Sequence, residues 1–316
     1  MQAIAASSTF SPLLLDHRAT IEALPFDTLC DEIRTSVIEL RDNKIDCPER
    51  QILAYGTNGQ MSSLPCTSHD LGVHKLVTYL PDNPASGLPS IHGLVTAWDV
   101  VTGRPVAQLD GIAVTARRTA ALSMVAMQLL SRTQSPLVAI IGTGAQAAGH
   151  LQALEALYPT ATVQIKGLTA ELSEAFCQQH RGSPLSVRPL YSSGFDEIDV
   201  VITTTTARSP IYHEQPMKDR LLIGVGAFLP EMAEYAPGVV NGSQLFIDEP
   251  NGGRREAGDY LQAEVDWSKI CTLADAIEGH IDFQRPRMFK CVGGSAFDLA
   301  AVRCALRHYD RYPKSP

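Results

Sequence analysis

The stretch Leu137-Val138-Ala139-Ile140-Ile141-Gly142-Thr143-Gly144-Ala145-Gln146-Ala147 decides the fold. Its unbroken apolar run reads as a buried strand and the alanine-rich continuation as a helix, so the glycines fall on a strand-to-helix turn. That context turns a short glycine motif, weak by itself, into a dinucleotide-binding signal. Gly142 permits a tight turn, Gly144 lets the backbone approach a pyrophosphate, and Ala147 stands where a third glycine would allow close helix-strand packing. The free N–H groups and positive end of the helix then hold the phosphates. An ordinary strand-to-helix turn is the competing reading, and the context disfavours it. Thr143, Ala145 and Gln146 complete the expected cofactor loop.

Downstream of this loop, apolar strands alternate with helical stretches. Strands are expected at Leu137–Ile141, Thr162–Lys166, Ser186–Leu190, Val200–Thr204, Leu221–Val225 and Leu245–Asp248, and helices at Ala145–Leu157 and Thr169–His180. That rhythm predicts an α/β fold with a doubly wound parallel sheet. The second strand usually ends on an acid that bonds the ribose hydroxyls of NAD. Here it reads Val163-Gln164-Ile165-Lys166-Gly167-Leu168-Thr169, with no acid before Glu171. Lys166, assisted by Thr169, suits the 2′-phosphate of NADP, so NADPH is preferred and NADH stays open; a solvated lysine at a strand end is the alternative. Thr203, Thr205, Val225 and Gly226 at later strand ends are further expected cofactor neighbours, with Thr119 and Gly293.

Upstream, Phe26, Leu29, Cys30, Ile33, Val37 and Leu40 recur at helical spacing. Strands follow at Gln51–Tyr55, Leu71–Tyr79, His92–Asp99 and Pro105–Asp110, separated by turn signals such as Thr57-Asn58-Gly59 and Pro81-Asp82-Asn83-Pro84. This is the texture of an antiparallel, meandering sheet. Thr115–Leu130, free of glycine and proline, reads as a connecting helix. A last helix over Ala296–Arg307 has no obvious partner in the preceding strands and is expected to return to the first domain. The boundaries are residues 1–115 for an α+β domain, 116–295 for the Rossmann domain, and 296–316 for the returning segment.

Composition removes several classes. A net charge of −8 opposes nucleic-acid and anionic-membrane partners, which require a basic face. The seven cysteines contain no C-x-x-C pair, and the nine histidines show no ligand spacing, so reduced thiols and no metal site are expected. No basic leader or membrane-length apolar run is present, and a cytoplasmic location is the default.

Three cations sit in structured or apolar settings: Arg50 after Cys47-Pro48-Glu49, Lys75 within Leu71-Gly72-Val73-His74-Lys75-Leu76-Val77-Thr78, and Arg118 early in the connecting helix. Buried charges need partners, and each cation singly is more often a structural ion pair than a ligand. Together with GVHKLVTYLPDNPASGLPSIHGLV, TGRPVAQLDGIAVTARRTAALS and VAIIGTGAQAAGH, they resemble the ornithine cyclodeaminase and mu-crystallin family. The resemblance runs from about Pro48 to the last helix. It implies a homodimer, residues 1–115 with the returning segment as a substrate-binding and dimerisation domain, a Rossmann domain, a small anionic imine or amino-acid substrate whose carboxylate meets Arg50 and Arg118, and Lys75 as the catalytic residue beside the reacting carbon. Guanidinium forks match a carboxylate, whereas an ammonium shifts its pKa when desolvated. Arg118 fits the family's Thr-x-x-Arg-Thr-x-Ala pattern, leaving Arg117 as solvent-facing or interdomain structure.

Within that family, cyclodeaminases carry an aspartate after the fifth Rossmann strand that handles the substrate's side-chain amine. Here the segment is Val225-Gly226-Ala227-Phe228-Leu229-Pro230-Glu231-Met232, with Phe228 in the aspartate's place. A phenyl ring cannot hold an ammonium through a carboxylate; it suits an apolar substrate ring or packs between strand and loop. The segment resembles the bacterial Δ1-pyrroline-2-carboxylate reductases more than the mu-crystallins. The resemblance implies NAD(P)H-dependent reduction of that cyclic imine to L-proline, with the piperideine analogue as second substrate. Lys75, a water or the solution protonates the imine nitrogen. Another imine or amino-acid dehydrogenase, or ornithine cyclodeaminase, is the enzymatic alternative, and a crystallin-like NADPH-binding protein the non-enzymatic one. Asp298 reads equally as a cap, a helix-dipole partner or a catalytic group, and Asp248 and Glu249 as structural.

Overall fold

The computed structural model describes residues 11–191 and 194–312. The first part of the chain contributes β1 (Leu13–Leu14), α1 (His17–Glu22), α2 (Phe26–Arg41), β2 (Gln51–Tyr55), β3 (Gly59–Thr67), β4 (Leu71–Tyr79), β5 (Ile91–Asp99) and β6 (Pro105–Asp110). The six strands form one sheet in the order β1-β6-β5-β4-β3-β2, antiparallel except where β1 joins β6. The sequence reading places no strand at Gly59–Thr67, where Pro65 argues against one. The structure tolerates it because β2 ends its pairing at Ser63, so Pro65 lies beyond that strand and is paired on the β4 side with His74.

Helix α3 (Gly111–Leu130) begins four residues earlier than its alanine-rich texture indicates, because Asp110 caps it through the Ala113 N–H. It leads into the second sheet, built from β7 (Leu137–Ile141), β8 (Thr162–Lys166), β9 (Ser186–Pro189), β10 (Val200–Thr203), β11 (Leu221–Gly224), β12 (Gln244–Ile247), β13 (Cys271–Thr272) and β14 (Arg287–Lys290). The helices between them are α4 (Ala145–Leu157), α5 (Ala170–Gln179), α6 (Pro237–Asn241), α7 (Pro250–Glu256), α8 (Gly258–Gln262) and α9 (Leu273–Ile277). All eight strands are parallel, in the order β13-β12-β14-β11-β10-β7-β8-β9. The chain therefore departs in opposite directions from β7 and β10, and the crevice at their carboxyl ends is a topological switch point, where open α/β sheets bind ligands.

The strand beside β11 is Arg287–Lys290, which the sequence reading leaves unassigned, and Gln244–Ile247 lies one place further out. Its Arg-Met-Phe-Lys sequence looks like surface. Yet all four residues are buried, Arg287 donating to the Leu130 carbonyl and Lys290 pairing with Asp259 at 2.9 Å.

The last helix, α10 (Ser295–His308), leaves the parallel sheet and packs on α2, α3 and the inner face of β3 and β4. Its residues Ser295 to Leu306 are buried, which explains an alanine-rich helix with little polar surface. Arg303 anchors it, donating to Asp70 at 2.7 and 3.0 Å and to Glu39 at 2.5 Å. Among the described residues, no helix is long and apolar enough to cross a membrane.

Candidate active site

Lys75 lies in the middle of its sheet, between Leu64 on β3 and Val95 on β5. Strand alternation turns His74 to the other face, where its Nε2 lies 2.8 Å from the Ser63 hydroxyl, and turns Lys75 inward toward α10. There its ammonium meets Asp298, 2.9 and 3.0 Å from the two carboxylate oxygens. Arg118 approaches the same carboxylate from α3, with Nε at 3.6 Å. Lysine and arginine are buried and the aspartate fully so, which makes the cluster costly without mutual compensation. Burial pushes the Lys75 pKa down and Asp298 opposes the shift, while Arg118 and Arg50 push it further down.

Lys75 and Arg118 line a cavity of about 600 Å³ between the two sheets, with Asp298 behind its wall. Arg50, Thr119, Gly144, Ala145, Gln146, Thr205, Val225, Gly226, Phe228 and Gly293 are brought to the same walls. No acidic side chain lines it among the described residues. Two cavity-lining side chains, Arg118 at Nε and Gln146 at Oε1, carry buried atoms without a hydrogen-bond partner among the described residues. Orphaned polar atoms of this kind mark a place where a polar ligand completes the bonding.

The glycine loop fits a dinucleotide. Gly142 takes φ +128°, and a Cβ there would stand 2.3 Å from the Thr204 hydroxyl, so only glycine closes this turn. At Gly144, which caps α4, a Cβ would meet nothing within 4 Å. That open space above a helix N-terminus is where a phosphate is held by backbone N–H groups. Gly142 and Thr143 shape the turn from below and do not line the cavity. Lys166 ends β8 with its ammonium 5.2 Å from the Phe195 ring centre, and Thr169 caps α5 by accepting the Leu172 N–H. Both stand outside the cavity, on the β8 side of the switch point.

One expected cofactor neighbour is corrected. Thr203 is fully buried and donates to Glu234 at 2.8 Å, so it faces the protein interior; Thr204, next along, reaches the cavity instead. Glu234 itself, absent from the sequence reading, accepts from the Thr205 N–H at 2.6 Å, the Thr205 hydroxyl at 2.9 Å and the Gly226 N–H at 2.8 Å. One carboxylate thereby ties together the ends of β10 and β11 that floor the site. Asp259 in turn accepts the Glu234 N–H and pairs with Lys290. The acid at the end of a short loop after Pro230-Glu231 was the only local signal.

The remaining candidates resolve individually. Phe228 sits on the rim, 42% exposed. Arg50 is half-buried and bonds Glu256 of α7 at 2.6 Å. Arg117 is not solvent-facing: it stacks 3.6 Å above Phe26 and donates to the Leu24 carbonyl. Asp248 accepts the Val292 and Gly293 N–H groups, shaping the turn in which Gly293 takes φ +77°. A Cβ on Gly293 would stand 2.1 Å from Arg118 Nη1, so this glycine makes room for the guanidinium. All seven cysteines are free.

The model of the ornithine cyclodeaminase/mu-crystallin family matches residues 13–310. A Δ1-pyrroline-2-carboxylate/Δ1-piperideine-2-carboxylate reductase of Azospirillum brasilense is 41% identical over 300 residues, covering 94% of this chain and 96% of the relative. Δ1-pyrroline-2-carboxylate reductase 2 of Burkholderia ambifaria is 41% identical over 291 residues, covering 92% and 94%. Among solved structures, Thermococcus litoralis Δ1-pyrroline-2-carboxylate reductase in complex with NADH and L-proline superposes with a TM-score of 0.84 at 24% identity, covering 94% of this chain and 97% of that one. That likeness speaks for the fold, and the family match spans both sheets and the returning helix. The chain belongs to the ornithine cyclodeaminase/mu-crystallin family.

Proposed function

We propose that the chain is an NAD(P)H-dependent imine reductase that converts Δ1-pyrroline-2-carboxylate to L-proline and Δ1-piperideine-2-carboxylate to L-pipecolate. The observation that carries the reading is the buried Lys75–Asp298–Arg118 cluster, facing the glycine loop across a cavity lined by no acid among the described residues. The names of the relatives support the same chemistry. Residues up to 115 with α10 form the substrate-binding half, and the parallel sheet the dinucleotide half.

Arg118, whose Nε has no hydrogen-bond partner among the described residues, and Arg50 offer guanidinium forks to the substrate carboxylate, and Lys75 supplies a further positive contact. Holding the carboxylate fixes the adjacent C=N carbon, which is the entropic part of the catalysis. The reduced nicotinamide, when bound at the glycine loop, supplies a hydride to that carbon. Protonation of the imine nitrogen makes the carbon electrophilic, and the Lys75 ammonium, its pKa lowered by burial, is the acid that the cavity wall offers. Phe228 stands on the cavity wall where cyclodeaminases carry the aspartate that takes a side-chain ammonium, which disfavours ornithine deamination.

NADPH is the preferred cofactor, with NADH accepted, because Lys166 and Thr169 end the second strand without an acid. A homodimer accounts for the outer face of the six-stranded sheet, where register places the exposed Leu53, Leu76 and Leu94 on one side. Free thiols suit a reducing, cytoplasmic setting.

The test follows NADPH absorbance with Δ1-pyrroline-2-carboxylate, its piperideine analogue, and pyruvate with ammonia, alongside ammonia release from ornithine. Both cyclic imines are reduced and ornithine is inert. Ornithine turnover, or inertness toward both cyclic imines, overturns the reading. Lys75→Met and Arg118→Gln lose turnover while retaining NADPH affinity; equal loss of cofactor binding would show the two pockets to be misassigned.

A further inference from the structure

Cys47 and Cys66 face each other where the chain enters the six-stranded sheet. Asp46 and Thr67 form an antiparallel bridge and exchange both backbone hydrogen bonds, each at 2.9 Å. The next pair toward β2 is therefore Cys47 opposite Cys66 at a non-hydrogen-bonded position, where Cα atoms stand about 4.5 Å apart and the side chains share one face. That spacing lies within the range a disulfide spans. Beyond it the register slips. Gln51 pairs with Ser63, so the four residues Cys47 to Arg50 run beside the three from Leu64 to Cys66. Arg50 belongs to this bulge, and bulges re-aim side chains. The two thiols differ as an attacking and a resolving cysteine differ. Cys66 is 2% exposed, its Sγ donates to the Ser295 carbonyl at 3.3 Å, and its contact with Cys47 together with burial pushes its pKa up. Cys47 is half-buried and lines a separate cavity of about 50 Å³ with Glu49, Asn251 and Arg255. Hydrogen bonds from the Cys66 thiol, the Ser295 side chain and the Ala296 N–H lower its pKa, against burial and the Glu249 charge. Ala296 lies in the first turn of α10, and a helix N-terminus favours a thiolate. The other five cysteines have the opposite setting, since burial raises the pKa of Cys30, Cys177, Cys271, Cys291 and Cys304.

We infer that Cys47 and Cys66 form a peroxide-responsive dithiol whose oxidation to a disulfide weakens carboxylate binding at Arg50. The thiol chemistry stands apart from the reductase reading, and the carboxylate it acts on rests on that reading. The Cys47 thiolate attacks a peroxide oxygen: an S–O bond forms, the O–O bond breaks, and the leaving hydroxide takes up a proton as water. The sulfur is oxidised by two electrons and the peroxide reduced by two. Cys66 then attacks the Cys47 sulfenic sulfur, an S–S bond replaces the S–O bond, and a second water leaves with the Cys66 proton. The new bond, about 2.05 Å long, draws Cys47 toward β3 and away from the Ala296 N–H. Gln51 is held in register on the far side, so the intervening bulge absorbs the movement and carries Arg50 with it. A guanidinium displaced by about 1 Å no longer meets a carboxylate fixed by Lys75 and Arg118. A dithiol reductant reverses the change.

Peroxide treatment of the reduced full-length protein tests the inference. Trypsin cuts after Lys44, Arg50 and Lys75, so the two cysteines fall on separate peptides and mass spectrometry reads their linkage directly. Hydrogen peroxide joins these peptides with the loss of two hydrogens, and dithiothreitol parts them. Cys66→Ala stops at a Cys47 sulfenic acid that dimedone traps, while Cys47→Ala leaves Cys66 unmodified. Calorimetry on the NADP+-loaded protein then follows pyrrole-2-carboxylate, a planar carboxylate that cannot be reduced. Its Kd rises about tenfold on oxidation, on the scale expected for one misplaced guanidinium, and returns with dithiothreitol. The Kd for NADP+ stays within about twofold, and Cys47→Ala binds the carboxylate equally well before and after peroxide. No link between the two peptides, or a link to a different cysteine, overturns the dithiol. A link that leaves the carboxylate Kd within about twofold, or an equal loss of affinity in Cys47→Ala, overturns its effect on Arg50. Both results leave the reductase reading intact. A reversible, Cys47-dependent loss of carboxylate affinity in a protein that reduces no cyclic imine upholds the dithiol and sinks the reductase reading.

Discussion

Asp298 and Lys75 are 223 residues apart in the chain and 2.9 Å apart in the structure, with both side chains buried. Helix α10 returns from the parallel sheet and brings this carboxylate to Lys75. Asp298 lies in the first turn of α10, where the helix dipole also favours a negative charge, and it holds two cations that would otherwise repel each other.

Replacing that carboxylate is therefore expected to do more than weaken the fold. Asp298→Asn leaves Lys75 and Arg118 buried without a counter-charge, a loss of about 3 kcal/mol or more in stability. It also removes the one influence on Lys75 that opposes its burial, so the lysine loses its proton at lower pH. The alkaline limb of kcat/KM moves to lower pH, and Asp298→Glu restores part of the shift. A pH profile of unchanged shape with a uniformly lower plateau would assign Asp298 a purely structural role.

The cofactor loop gives a cleaner separation of fold from function. Gly144 has φ −90°, and a Cβ there meets nothing within 4 Å, so Gly144→Ala costs the free protein nothing in contacts or backbone strain. It fills the space left for the pyrophosphate. Thermal stability of the free enzyme stays the same while the Kd for NADPH, read by tryptophan or nicotinamide fluorescence, rises about tenfold or more, equivalent to about 1.4 kcal/mol. Unchanged cofactor affinity would move the phosphates away from this turn.

How much of this was open to a reader of the sequence depends on the distance over which each feature acts. The β7–loop–α4 unit is local, and its strand and helix bounds are those expected from the residues. Strand β4 and its lysine were equally legible, because alternation and burial are written into consecutive residues. The strands β3 and β14 were not. Pro65 and the flanking Arg287 and Lys290 are individually unfavourable in strands, and only neighbours supplied by distant chain make them acceptable. The site shows the same division. Lys75, Arg50 and Arg118 could be picked out, but Asp298, Glu234 and Glu256 acquire their roles from partners across the fold, and no spacing rule announces them. Thr203 was misplaced by one residue for a related reason: where β10 ends decides which threonine faces inward.

Lys166 is the residue on which the proposed NADPH preference is tested. Standing at the end of β8 beside Phe195, it presents a positive charge where an acid would repel a 2′-phosphate. Lys166→Asp reverses the sign of that contact, and the ratio of NADPH to NADH efficiency falls about tenfold or more. The imine KM at saturating cofactor stays constant, since Lys166 does not line the substrate cavity. A ratio that does not fall would release Lys166 to the solvated-lysine alternative and leave discrimination to other groups.

His150 makes the stability of the cofactor-binding half sensitive to acid. It is fully buried on α4, with Nδ1 2.7 Å from the Gln146 carbonyl and Nε2 2.8 Å from the Ser123 hydroxyl of α3. The neutral ring donates to the carbonyl and accepts from the hydroxyl; a protonated ring would have to donate at both nitrogens in a site without solvent. Burial lowers its pKa from 6.5 to about 4. The unfolded chain therefore binds the extra proton first as pH falls. The stabilisation is complete above about pH 6.5 and is lost progressively as pH drops toward and through about 4, a contribution on the order of 3 kcal/mol. Urea unfolding of wild type and His150→Gln at intervals from pH 7.5 down to 4.5 isolates it, because carboxylate titrations are common to both proteins. The variant starts less stable at pH 7.5 and loses less on acidification, so the two curves converge; parallel curves would show that His150 does not carry the acid sensitivity.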